Sequence, residues 1–168
     1  GALDSDLIIT TGGVSVGKYD LMQKALSKFE NKIEFWKIAM RPGKPLLFSR
    51  INNTPLIGLP GNPVSSGVCS YIFVNLAIRK MLGDDSPFPL FENGVLNGQM
   101  SKNDKRLDFV RANSSFNNGV LEVTPFNLQD SSMITNFSRA DCLIVRNPFD
   151  NAISNGENVK VFKFPNNI

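Results

Sequence analysis

Residues Leu7 to Asp20 read LIITTGGVSVGKYD. Leu7, Ile8 and Ile9 form a short apolar run rich in β-branched residues, which predicts a buried strand. Gly12-Gly13 breaks that strand, Ser15 and Gly17 continue a loop of small residues, and Asp20 stands where a helix can begin. Strand, glycine-rich turn and helix in that order form an anion cradle in many α/β proteins. Backbone N–H groups converge in the loop, and the helix dipole adds partial positive charge. Two catalytic motifs lie close by, and both fail. A P-loop ends in Gly-Lys-Ser/Thr, whereas Gly17-Lys18 is followed by Tyr19. Gly13-Val14-Ser15-Val16-Gly17 fits the G-x-S-x-G nucleophile elbow, but its serine needs a base histidine and the chain has no histidine. Ser15 therefore reads as a loop hydroxyl that donates to a ligand.

Working outward, the 168 residues suffice for one ordinary domain or two small ones, and 42% hydrophobic content can bury a core. No apolar run has membrane-spanning length and no signal-peptide pattern is present, so the expectation is a cytoplasmic chain without a membrane partner. Cys69 and Cys142 are far apart and outside any CxxC, the pattern of buried reduced thiols. Two cysteines and no histidine argue against zinc, whereas Mg²⁺ held by one carboxylate and ligand oxygens fits the composition. The net charge of +3 is mild and the basic residues are scattered, apart from Lys37, Arg41 and Lys44. That favours a small anionic ligand over nucleic acid.

The spacing of Leu21, Met22, Ala25, Leu26 and Phe29 predicts a helix over 20–29, with Asp20 as N-cap and Gln23 as its capping-box partner. That structural role for Asp20 is at least as well founded as a catalytic one. Ile33–Ala39 predicts a strand in parallel crossover with the first. Arg41-Pro42-Gly43-Lys44-Pro45 is a rigid loop that presents two cations at a strand end, or an ordinary basic turn. Leu46–Phe48 and Pro55–Leu59 read as strands about an Asn52-Asn53 turn. The second runs into Pro60-Gly61-Asn62-Pro63-Val64-Ser65, where Asn62 caps a helix that reaches Leu82 and Gly83 closes it. Asp84 to Pro89 reads as a linker. Beyond it, short strands at 94–96, 106–112, 120–124, 142–146 and 158–164, with an Asn118-Gly119 hairpin turn, predict a small β domain. A helical or irregular stretch is expected near 131–137. Because a parallel sheet needs several strand–helix units and this chain opens almost directly on a strand, a C-terminal part of a larger protein is expected.

Three motifs in register, T-G-G-V-S-V-G-x-x-D (Thr11–Asp20), F-W-K-I-A-x-R-P-G-K-P (Phe35–Pro45) and L-P-G-N-P-V-S (Leu59–Ser65), resemble the molybdopterin molybdenumtransferases, the MoeA/gephyrin E-domain family. The tail, with Asp108-Phe109-Val110-Arg111 and Ser138 to Val145, is similar to that family's C-terminal domain. The resemblance implies an α/β fold. Residues 1–85 would be part of a three-layer MogA-like domain with a mostly parallel sheet, and 90–168 a small β-barrel-like domain. It implies insertion of molybdate into adenylylated molybdopterin, with Mg²⁺ assisting and AMP released. It also implies a MogA-type adenylyltransferase upstream, a homodimer in the full-length protein, and inactivity of this part alone. Asp20 would be the catalytic and Mg²⁺-binding carboxylate, and Lys37, Arg41 and Lys44 a cationic wall for molybdate or pyrophosphate. Gly12, Gly13, Ser15, Gly17, Pro60, Gly61, Asn62, Pro63 and Ser65 would cradle the ligand, with Arg111 and Ser132 reaching in from the tail. Many relatives carry lysine where this chain has Arg41, and a guanidinium fork meets an oxyanion differently from an ammonium. Two other readings stay open: a gephyrin-like scaffold that holds peptides, and a non-catalytic molybdopterin-binding module.

Overall fold

The computed structural model describes residues 4–14, 21–86, 91–130 and 134–164. A first sheet carries four strands in the order β1 (Ile8–Thr11), β5 (Thr54–Leu59), β4 (Leu47–Ile51), β2 (Asn31–Trp36). β1 and β5 pair in parallel, from Ile8 opposite Leu56 to Thr11 opposite Leu59. β5–β4 and β4–β2 are antiparallel. The sheet is therefore mixed: β1, β5 and β2 run one way and β4 runs against them. The expected crossover pairing of β1 with β2 is corrected, because the β4–β5 hairpin lies between them. Asn52 and Asn53, both at positive φ (46° and 77°), supply the two-residue turn that makes this hairpin.

The faces of β5 alternate as the strand period requires. Leu56 joins Val14, Leu26, Leu47 and Ile51 on the side of α1 (Leu21–Leu26). Ile57 and Leu59 join Val68 and Ile72 on the side of the long helix. Helix, sheet and helix thus form three layers. The long helix starts where the sequence places it. The Asn62 side chain accepts from the Ser65 N–H at 3.0 Å, and Pro63 takes the first helical position. Its course is α2 (Pro63–Cys69), a π-helical stretch (Ser70–Val74) and α3 (Asn75–Met81), where the sequence predicts one regular helix. At the change of pitch the Ser70 hydroxyl donates to the Ser66 carbonyl, a side-chain bond that competes with the helical ladder. The Asp84 N–H reaches the Arg79 carbonyl and the Gly83 N–H the Lys80 carbonyl, which closes the helix end. Pro87–Pro89 of the expected linker lie outside the described residues.

The second half is a closed barrel. β6 (Phe91–Leu96), β7 (Leu107–Asn117), β8 (Val120–Pro125), β9 (Cys142–Arg146) and β10 (Asn158–Lys163) run β7–β8–β6–β10–β9 and return to β7. Asn118 and Gly119, both at positive φ, turn β7 into β8 as expected. Residues of alternating parity fill the interior: Val110 and Ala112, Leu121 and Val123, Cys142 and Ile144, Val159 and Val161. None of these strands extends the first sheet. The exchange runs the other way: β3 (Met40–Arg41) pairs in parallel with Leu107–Asp108 at the start of β7. The helical stretch expected near 131–137 is present as α4 (Ile134–Arg139), and residues 131–133 lie outside the described residues.

A shared core welds the halves. Phe109, Leu143 and Phe162 of the barrel are buried with Met40, Leu46, Ile57, Leu59, Val68 and Ile72. Beside them Tyr71 stacks on Phe164 at 4.4 Å, and Phe137 of α4 meets both rings edge-on.

Candidate functional site

The strand directions bring the described parts of the three family-like motifs to one edge of the first sheet. β1 and β5 end side by side at Thr11 and Leu59, β2 ends at Trp36, and β4 begins at Leu47 opposite both Trp36 and Gly58. Hence the turns that follow β1, β2 and β5 emerge together. In α/β sheets that edge is the usual place for a ligand.

At this edge two loops meet backbone to backbone. The Gly12 N–H donates to the Leu59 carbonyl at 3.1 Å. A Cβ built on Gly61 would stand 3.3 Å from the Gly12 Cα. Gly12 and Gly13 both take positive φ (80° and 71°), which turns the chain away from the strand without a side chain to obstruct it. The Thr11 hydroxyl faces the Pro60 carbonyl at 3.4 Å. From Gly13 the chain runs to buried Val14, whose carbonyl accepts the Trp36 indole N–H at 3.0 Å. Lys37, at φ 66°, places its ammonium 3.9 Å from the centre of the Trp36 ring. A cation is thereby held beside the glycine turn through one aromatic side chain. Trp36 was not singled out by the sequence reading, although it adjoins Lys37 in the quoted motif.

The 37–46 segment closes on itself. Lys37 N–H donates to the Leu46 carbonyl, Ile38 N–H to Lys44, and Leu46 N–H to Gly43, all within 3.0 Å. Gly43 is buried against the long helix: a Cβ there would stand 2.4 Å from Met40 Cε and 2.6 Å from Cys69 Sγ. Lys44 is exposed at the tip. Burial pushes the Cys69 thiol up to about 12, so this neighbour is a packing group and no nucleophile at neutral pH.

Three expected ligand groups have partners within the protein. Arg41 donates to Asp108 and, at 3.4 and 3.5 Å, to Asp104 and Asn103, all in the barrel half. Its guanidinium is an ion-pair partner of carboxylates, where the sequence reading made it part of an anion wall. Arg111 is 1% exposed; its N–H and Nε donate to Gln129 Oε1 and its Nη1 to the Asp130 carbonyl. Burial lowers its pKa, an effect opposed by Asp130 and Asp108. It braces the 126–130 loop from inside, where it was expected to reach a ligand. The Ser65 N–H donates to the Asn62 cap at 3.0 Å. The physical reason is common to all three: a polar group that packing buries or brings beside a complementary one satisfies it internally. Pro60, Gly61, Asn62 and Pro63 stay at the predicted edge as shape and cap. Ser15, Gly17, Asp20 and Ser132 lie outside the described residues. Among the described residues no group of three or more His, Cys, Asp or Glu side chains could hold a metal ion. No described helix is long and apolar enough to cross a membrane.

Comparison with known proteins adds family to geometry. Residues 1–80 match the family model described as "Probable molybdopterin binding domain", and residues 93–164 the model "MoeA C-terminal region (domain IV)". A molybdopterin molybdenumtransferase of Haemophilus influenzae is 37% identical over 162 residues, which cover 95% of this chain and 40% of that protein. The Bacillus subtilis molybdopterin molybdenumtransferase is 33% identical over 156 residues, 93% of this chain and 36% of its own length. The chain thus spans about two fifths of the length of these curated relatives. A molybdopterin biosynthesis MoeA protein from Pyrococcus horikosii shares the fold, with a TM-score of 0.77 at 23% identity over 98% of this chain and 38% of that one. With three motifs gathered at one sheet edge, a closed barrel behind them and both halves matched by their models, the chain belongs to the molybdopterin molybdenumtransferase (MoeA) family.

Proposed function

We propose that this chain carries the molybdate- and molybdopterin-binding edge of an enzyme that transfers molybdenum to adenylylated molybdopterin, within molybdenum cofactor biosynthesis. The observation that carries the reading is the meeting of the Gly12-Gly13 turn, the Pro60-Gly61 turn and the Lys37 ammonium at one sheet edge. A pyrophosphate link and a tetrahedral oxyanion need fixed donors and cations more than a strong base. This edge offers exposed lysines beside a glycine turn and contains no imidazole.

In this assignment Lys37 and Lys44 supply charge to the oxyanion. Gly12 and Gly13, with Ser15 and Gly17, are the candidate groups for the phosphates, and Asn62 and Pro63 fix the helix start that faces the glycine turn. Residues 1–85 and 90–168 serve as the two structural units. Asp20 is the candidate acidic group of the reaction. A magnesium ion here would have Asp20 as its candidate carboxylate and would draw its other ligands from phosphate oxygens and water, the habit of that ion. Release of AMP, a MogA-type adenylyltransferase upstream, a homodimer of the whole protein and a cytoplasmic setting complete the reading.

Equilibrium dialysis with molybdate tests it. Lys44→Ala should weaken binding by about tenfold, the worth of one charge-assisted contact. Unchanged affinity in that variant, or no molybdate binding by the unaltered chain, would overturn the assignment.

A further inference from the structure

We infer that Arg41 is a latch and no anion ligand, and that Asp108 is the positioning residue for the Lys44 loop. The inference rests on the proposed oxyanion role of Lys44 and adds how that lysine is held. Arg41 stands immediately before Pro42-Gly43-Lys44, in β3, the short strand that leaves the first half to pair with β7. The seam is bonded at both levels. The Leu107 N–H donates to the Ala39 carbonyl at 2.9 Å, and the Arg41 guanidinium spreads over Asp108, Asp104 and Asn103.

The partners are themselves fixed. The Asp108 side chain is only 14% exposed. Asn103 is buried, and its Nδ2 donates to the carbonyls of Arg106, Arg146 and Asn147 while its Oδ1 faces Arg41 and the Asp104 N–H. An isolated surface ion pair contributes little, but a guanidinium fork spread over three anchored acceptors is the arrangement in which such pairs do contribute. A lysine ammonium is a point charge and cannot span those acceptors as a planar fork does. A guanidinium at this position is thus suited to the barrel wall it meets, and its charge is already balanced by carboxylates. The cations left for an oxyanion are Lys37 and Lys44.

The test compares molybdate affinity in the unaltered chain and in Asp108→Asn, Asp108→Glu, Arg41→Lys and Arg41→Ala, with amide hydrogen exchange on the same proteins. A latch predicts that Asp108→Asn weakens molybdate binding roughly threefold or more, as for other coupled neighbours. Asp108→Glu should restore most of it, and Arg41→Lys should fall with Arg41→Ala despite its retained charge. The Leu107 and Ile38 amides should exchange faster in Asp108→Asn and in Arg41→Lys. If Arg41 is instead an anion ligand, Asp108→Asn frees a cation and tightens binding, and Arg41→Lys stays near the unaltered chain; either result overturns the latch. Should Asp108→Asn fail to fold, Arg41→Lys carries the same two readouts. Absence of any molybdate binding would sink the proposed function, while exchange at Leu107 and Ile38 would still decide the latch: unchanged protection there refutes it.

Discussion

At the scale of single residues, the three cations of the R-P-G-K-P neighbourhood part company by what surrounds them. Lys37 is held over an indole, Lys44 stands exposed at a loop tip, and Arg41 is bonded to carboxylates. Between the last two sits Gly43, at φ 118°, a conformation that side-chain-bearing residues rarely adopt. Its missing Cβ is also what lets the loop lie on Met40 and Cys69. Gly43→Ala should therefore cost about 1–3 kcal/mol in stability through overpacking and backbone strain. A urea titration checks this; an unchanged midpoint would mean that the loop can lift off the helix without penalty.

At the scale of elements, the start of the long helix serves packing and site together. Asn62 fixes both the helix origin and the turn that approaches Gly12. Asn62→Ala should lower stability by about 1 kcal/mol, with the urea midpoint falling and the slope unchanged. A loss within error would show that tertiary packing of Val64 and Val68 alone sets the helix origin. The sequence placed this cap and the Gly83 stop correctly, because both are local chemistry. It did not anticipate the π-helical stretch at Ser70–Val74. That deviation accompanies a ring cluster built from Tyr71, Phe137 and Phe164, residues far apart in the chain.

At the scale of the molecule, a hydrophobic seam and a polar network join the α/β half to the barrel. Asp104 belongs to the network. Hydrogen bonds from the Arg106 side chain and backbone, with the nearby charges of Arg106 and Arg41, hold its carboxyl down at about 2. A carboxylate whose folded-state pKa lies below its unfolded value of about 3.9 stabilises the fold above that pH, and the contribution fades as pH falls through about 2. The urea midpoint of the unaltered chain should therefore exceed that of Asp104→Asn at pH 5, and the gap should close between about pH 4 and pH 2. A gap that persists at pH 2 would mean that the side chain acts through shape and not through charge.

The local record in the sequence was rich. Strand β1 and its glycine turn, the Asn52-Asn53 and Asn118-Gly119 hairpins, the Asn62 cap and the barrel's alternating strands all follow from residue type and spacing, which act within a few residues. The family resemblance joined the Thr11, Phe35 and Leu59 motifs before the strand directions brought the turns after β1, β2 and β5 to one sheet edge. What the sequence could not decide was pairing at long range. The insertion of β4 between β5 and β2, the departure of Met40–Arg41 to the barrel, and the contacts of Arg41 and Arg111 depend on partners 11 to 67 residues away. A charged side chain reads the same in a sequence whether it will face a ligand, a carboxylate or a buried amide. Only the folded chain brings Asp108 to one arginine and Gln129 to the other.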